Sequence, residues 1–191
     1  MAIGKISDFK SALTFGGARP SLFDVQIAVP TGPTGLDALA KSQYQCTATS
    51  IPGLTVTPIE KFYFGRTVKL PGEMTFGTLS TTFINPEDYG LRIAMERWAE
   101  YINGTETNIA GSVAPADWYT ILKIRQYTKD GSVAIDFDFR DCWPSAVDAM
   151  ELSYDTTGAM EEFNVTWEYN YYTTTAQLTS TPLGNQEPLK Q

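Results

Sequence analysis

Residues 163–171, Phe-Asn-Val-Thr-Trp-Glu-Tyr-Asn-Tyr, alternate apolar and polar side chains without a break. That period belongs to a strand with one packed face and one wet face, because successive residues of a strand point to opposite sides. A slip of one residue would turn all five large side chains to water, so the register of this strand is strongly specified. The same alternation recurs in Phe23–Val29, where Phe23, Val25, Ile27 and Val29 share a face. It recurs again where Ile135, Phe137 and Phe139 alternate with Asp136, Asp138 and Arg140. Weaker strand candidates are 44–49, 56–64, 75–84, 119–127 and 150–154. Asp130-Gly131 reads as a tight hairpin turn, with Gly supplying positive φ. Asp155-Thr156-Thr157-Gly158 reads as the turn joining the last two strands.

One helix interrupts the strands, predicted over about residues 86–103. Asn85 is a good N-cap, Pro86 suits the first helical position, and Glu87 and Asp88 favour the positive helix start. Leu91, Met95, Trp98 and Ile102 fall on one stripe, which reads as core packing rather than a ligand site. The class expected from this pattern is α+β, mainly β, with antiparallel sheet and one flanking helix. Three segments break it: the Pro/Gly-rich loop 30–41, the loop 105–116, and the Thr-, Gln- and Pro-rich stretch 173–191, expected to be an extended or mobile tail. At 191 residues the chain reads as a single domain with a core large enough to do without disulfide staples.

Composition narrows the chemistry. There is no histidine, which removes the commonest general base and metal ligand. Net charge is −8 and the pI about 4.5, the wrong balance for gripping phosphates. Cys46 and Cys142 are far apart and read as two buried thiols in a chain made in a reducing cytoplasm; residues 1–13 carry charge at Lys5, Asp8 and Lys10 and have no apolar core segment, so no signal peptide is expected. No run approaches the ~18 apolar residues of a membrane span. Acid pairs such as Asp136/Asp138 and Glu161/Glu162 are ordinary on solvated strands, and no P-loop, dinucleotide fingerprint or nucleophile elbow is present. No catalytic, cofactor-binding or metal-binding residue is therefore expected, and the chain is read as not an enzyme.

Four blocks carry a resemblance. They are Ala18-Arg19-Pro20-Ser21-Leu22-Phe23-Asp24-Val25-Gln26-Ile27; Cys46-Thr47-Ala48-Thr49-Ser50-Ile51-Pro52-Gly53 with Gly65-Arg66-Thr67-Val68-Lys69-Leu70-Pro71-Gly72 after it; the 75–84 strand running into the helix; and Arg125-Gln126-Tyr127 through Asp130-Gly131 to Cys142-Trp143-Pro144-Ser145-Ala146-Val147. Their order and spacing resemble the tail tube protein family of contractile-tailed bacteriophages, over most of residues 18–172. The resemblance implies a β-sandwich or incomplete barrel with one flanking helix. It implies six copies in a ring, rings stacked into a tube inside a contractile sheath, and DNA passing through at genome ejection without specific binding. It also implies a virion location after assembly in the host bacterial cytoplasm. The implied partners are the chain itself and the sheath, baseplate-initiator, tape-measure and tail-terminator proteins, with no membrane insertion. Alternatives are the tube of a pyocin-like, extracellular-injection or type VI-like particle, a baseplate tube initiator, or a non-assembling binding module.

Within that frame the residues suggest three surfaces. Segment 51–72 is expected to project and stack rings, with Phe62, Tyr63, Phe64, Arg66 and Lys69 as interface candidates; its alternative is a hairpin folded back on its own core. An arm, residues 1–17, is expected to order between subunits. Asp136, Asp138, Glu162 and Glu168 are lumen-facing candidates, and an ordinary solvated outer face is equally compatible with them. Trp143-Pro144 reads as a core aromatic at a strand end, and Cys142 as a small buried hydrophobe.

Overall fold

The computed structural model describes residues 5–13, 17–155 and 158–176. In chain order its strands are β1 (Phe23–Ile27), β2 (Cys46–Ser50), β3 (Leu54–Tyr63), β4 (Arg66–Phe76), β5 (Leu79–Ile84), β6 (Thr120–Tyr127), β7 (Val133–Val147), β8 (Glu162–Glu168) and β9 (Tyr171–Ala176). The helices are α1 (Ile6–Ala12), α2 (Ser42–Gln45), α3 (Gly90–Ile102) and α4 (Pro115–Trp118), with a 3-10 turn at Asp37–Lys41 ahead of α2. Every strand pairing is antiparallel.

Six strands form one path, β1-β6-β7-β8-β5-β2, and a seventh, β9, pairs with β7 off that path. The path doubles into two layers because β7 serves both. Its first half pairs with β6 and β9, its second half with β8. The change of layer falls at Asp141, whose φ is 58°, and the opposing strand slips register between Thr120 and Leu122. An irregularity of this kind bends a strand and re-aims its side chains. Asn170 steadies the corner by donating to the Asp141 carboxylate at 2.8 Å.

The core lies between the layers. Val25, Ile27, Leu122, Ile124 and Phe139 enter it from the first layer, Leu79, Phe83, Phe163, Val165 and Trp167 from the second. Helix α3 adds Leu91, Ala94, Met95 and Trp98. Trp98 meets Trp167 edge-on, with ring centres 5.8 Å apart. Both indoles are satisfied: Trp98 donates to the Trp118 carbonyl at 3.0 Å and Trp167 to the Thr81 hydroxyl at 2.8 Å. Burying side chains of this size contributes about 1.5–3 kcal/mol each.

Several expectations are corrected. Helix α3 starts at Gly90, and Asn85 does not cap it. The Asn85 amide is taken instead by Glu161 at 2.9 Å, and the Asp88 carboxylate accepts the Gly90 N–H at 3.0 Å. Residues 150–154 form no strand, because β8 is already paired on both sides, by β7 and β5. The alternation of 163–171 does not run through as one strand. The chain turns after Glu168 and the phase shifts by one, so Tyr172 packs on the core while Tyr171 is exposed. Thr173–Ala176 belong to β9 rather than to a tail, since a Thr run suits a pleated, half-buried surface; residues 177–191 lie outside the described residues. The loop 30–41 contains the 3-10 turn and buries Leu36 and Leu39. Cys142-Trp143-Pro144 sits inside β7, with Pro144 at a register slip opposite Trp167, where a missing N–H is tolerated.

Candidate functional site

Among the described residues, strands β3 and β4 pair only with each other. The ten residues of β3 at 3.3–3.4 Å each make a ribbon about 33 Å long. Every residue of β3 is exposed. Contacts with the body are at the base: Gly77 donates to the Gly53 carbonyl at 3.0 Å, Tyr169 to the Gly77 carbonyl at 2.6 Å, and Tyr172 to the Pro52 carbonyl at 3.4 Å. The Phe76 ring packs against Tyr172 at 5.4 Å. Burial, then the neighbouring Tyr172, pushes the Tyr169 hydroxyl up to about 12, so it remains a donor. Between Val56 and Pro58 the ladder slips register, opposite Gly72. A Cβ at Gly72 would lie 2.5 Å from the Thr57 carbonyl oxygen, so this slip requires glycine.

The tip is Tyr63-Phe64-Gly65-Arg66, with φ of 45° at Phe64 and 78° at Gly65. Two positive φ values match a type I′ hairpin turn, which favours Asn-Gly. A bulky residue held there costs about 1–3 kcal/mol. Phe64 receives almost no packing in return, being 91% exposed, and Phe62 is 85% exposed. Lys69 pairs with Glu60 across the ribbon at 3.1 Å, whereas Arg66 has no partner among the described residues.

The outer face of the first layer is a charge ladder. Register places Asp24 beside Arg125 and Gln26 beside Lys123, then Arg125 beside Asp136 and Lys123 beside Asp138. Asp138 lies 3.2 Å from Lys123 and 3.9 Å from Arg140, and Arg125 lies 3.6 Å from Asp136. Three acids thus face three bases. Thr173 and Thr175 of β9 complete the face. Glu162 and Glu168 are not with them: they are exposed on β8, in the other layer. The four lumen candidates are therefore two separate pairs.

The two edges of the first layer differ. Ser42 of α2 donates to the Val25 carbonyl at 3.2 Å and accepts from the Ile27 N–H at 3.3 Å, which seals much of the β1 edge. Among the described residues, strand β9 pairs only with β7, and its other edge is open. Helix α1 exposes Ile6, Phe9 and, just beyond its end, Leu13.

A cavity of about 390 Å³ opens at the β6–β7 end of the first layer, between Gly17–Leu22 and Tyr127–Ala134. A wider hollow of about 810 Å³ lies beside Glu151, Glu161 and Glu162. Glu161 is committed structurally there: it accepts from Asn85 at 2.9 Å and from the Tyr89 hydroxyl. Both thiols are pushed up to about 12 by burial and stay neutral. Among the described residues no group of three or more His, Cys, Asp or Glu could hold a metal, and no helix is long and apolar enough to cross a membrane.

The sequence profile of the phage tail tube protein family matches residues 18–175. The chain belongs to that family. The tail tube protein gp19 of Enterobacteria phage T4 is 27% identical over 157 residues, covering 81% of this chain and 90% of that protein. The tail tube protein of Serratia phage KSP90 is 25% identical over 166 residues, covering 86% and 93%. In fold, the chain is similar to a tube-complex chain of the extracellular contractile injection system PVC, with a TM-score of 0.58, 10% identity and 87% and 97% coverage. A chain from the baseplate structure of the anti-feeding prophage gives 0.58 at 11% identity, covering 84% and 96%.

For a tail tube family member the informative surfaces are these contacts, and the sequence exposed them unevenly. The aromatic run 62–64 was visible as residues. The ion-pair ladder was not, because it depends on which strands are neighbours. The open β9 edge was missed; its only signal was the β-branched run Thr173-Thr174-Thr175.

Proposed function

We propose that this chain forms the wall of a phage tail tube: copies close head-to-tail into six-membered rings, and rings stack to conduct DNA within a sheath. The observation that carries this is the β3–β4 hairpin, a ribbon about 33 Å long that leaves a well-packed body with its aromatic tip bare. Such a patch is a liability on a monomer and a contact in an assembly. Phe62, Tyr63 and Phe64 meet the next ring, with Arg66 free to pair there and Lys69 already held by Glu60.

Ring closure uses the open β9 edge against the β1 flank of the next copy. The strands of the first layer alternate in direction across β1, β6, β7 and β9, so rotation about an axis along them keeps the seam antiparallel. Because the second layer and α3 add bulk on one side only, the charge-ladder face is the one that fits the smaller circumference. Asp136 and Asp138 then line the lumen, and Glu162 and Glu168 face away from it. A self-neutralised ladder offers phosphates no net attraction, which suits a conduit that does not bind its cargo. The α1 arm packs between subunits. The chain performs no catalysis, and its partners include sheath and terminator proteins such as those named for the fold relatives.

Electron microscopy of the purified chain, with light scattering over a concentration series, tests this. Rings or hollow tubes of uniform width are expected. A monomer at every concentration, even with a baseplate template, overturns the reading.

A further inference from the structure

We propose that the cavity at the β6–β7 end is the socket for the hairpin tip of a copy in the adjacent ring, with Phe64 as the plug. This rests on the reading that the hairpin stacks rings, and it names the surface that receives it. Among the described residues of one chain, two exposed features have no occupant or partner: an aromatic tip held at positive φ, and an open cavity of about 390 Å³.

The base of the hairpin and the cavity lie at opposite ends of the first layer. The hairpin is anchored by Tyr169 and Tyr172, where β9 begins beside Phe139 and Arg140 of β7. The cavity is bounded by Leu22 before β1, Tyr127 at the end of β6 and Ala134 at the start of β7. Along β7, Arg140 faces Tyr171 at one end, and Ile135 faces Ala176 at the other. Stacking in one direction therefore brings the tip of one copy to the cavity of the next. That head-to-tail contact repeats without closing, as a filament requires.

Their chemistry also matches. Ala18, Leu22, Ala134 and the Tyr127 ring give apolar walls. At the mouth, the Asp130 carboxylate is fixed by Thr128, by the Ser132 N–H at 3.2 Å and by the Ser132 hydroxyl at 2.8 Å. Arg19 and Lys129 line the same cavity, so the mouth is not acidic overall, and the match rests on the aromatic plug and the apolar walls. A competing occupant is the arm of the same chain, which leads into Gly17 at the cavity wall and carries the exposed Phe9.

The test is disulfide trapping in assembled tubes of the full-length chain carrying Phe64→Cys and Ala134→Cys. Oxidation is expected to give a ladder of multimers, a mixture of the two single variants only dimers, and either single variant alone neither. Tubes that form with no cross-linked species overturn the socket, as does a cross-link within one chain between Phe9→Cys and Ala134→Cys. As a second measurement, Ala134→Trp fills the cavity and should lower tube yield about tenfold or more at unchanged monomer stability. Tubes at wild-type yield from Ala134→Trp overturn the socket but leave hairpin stacking standing. Tubes that survive removal of the hairpin overturn stacking itself, and the socket with it.

Discussion

The body and the hairpin use the same vocabulary of alternating apolar residues and turns, with opposite results. In β8, Phe163, Val165 and Trp167 vanish into the core. In β3 and β4, Leu54, Ile59 and Leu70 pair across strands and remain 48–53% exposed. A strand pattern thus specifies conformation in both places but burial in only one. A lone two-stranded ribbon is marginal in water, so the hairpin leans on its base anchors and on a partner, while the body is self-sufficient. If this division is right, mutations should separate stability from assembly.

The largest stability effect belongs to the body. Trp167→Ala empties the site that touches Trp98 and strands the Thr81 hydroxyl, and should cost about 3–5 kcal/mol. Urea denaturation measures it. Replacing residues 57–73 with a two-residue turn, which keeps the Leu54–Phe76 and Val56–Met74 pairs, should cost less than about 1 kcal/mol in the same assay. Equal costs would mean that the ribbon packs on the body, and the contrast would collapse.

Next comes a change with an assembly effect alone. Phe64→Asp should shift stability by no more than about 0.5 kcal/mol, because the ring is exposed, yet abolish tubes seen by electron microscopy. Gly72→Val should act similarly but less completely. Its side chain meets the Thr57 carbonyl and Ile59, so the ribbon must distort while the body melts as before. Wild-type tubes from either variant would remove the hairpin from the stacking contact.

A smaller effect is expected on the charge ladder. Asp138→Asn removes the shared partner of Lys123 and Arg140, and should cost about 1 kcal/mol because the site is half-buried. If the face lines the lumen, the variant also tilts the wall towards positive charge and slows DNA ejection; unchanged ejection kinetics would place the face elsewhere.

How far the sequence could be read follows the same division. Strand phase was legible wherever one face is buried: Val25 and Ile27, Phe139, and Phe163 to Trp167 all point inward as their alternation demands. The phase shift at Tyr171–Tyr172 was not legible, because both residues are Tyr and the turn before them is only Tyr169-Asn170. The α3 stripe was visible, but its start was not, since Asn85 has a tertiary partner, Glu161, 76 residues away. The aromatic tip could be named from composition. Its receiving surface is assembled from segments more than 100 residues apart, around Leu22 and Tyr127, and no local pattern records that meeting.

The smallest effect at neutral pH concerns the thiols, and it sharpens the contrast because the hairpin contains none. Burial pushes Cys142 up to about 12 in the folded body, whereas an unfolded thiol ionises near ~8.5. Below about pH 8 both states keep the proton, and the group contributes nothing to the pH dependence. Between about 9 and 12 the unfolded chain loses a proton that the folded chain retains. The unfolded state then binds fewer protons, so stability falls as pH rises, by at most about 1.4 kcal/mol per pH unit. Urea midpoints at pH 8 and pH 10 should therefore drop further for the wild type than for Cys142→Ala. The chain lacking residues 57–73 should keep the wild-type slope. Parallel losses in wild type and Cys142→Ala would show that the thiol ionises within the folded body, and that the core around Phe139 and Leu122 is open to hydroxide.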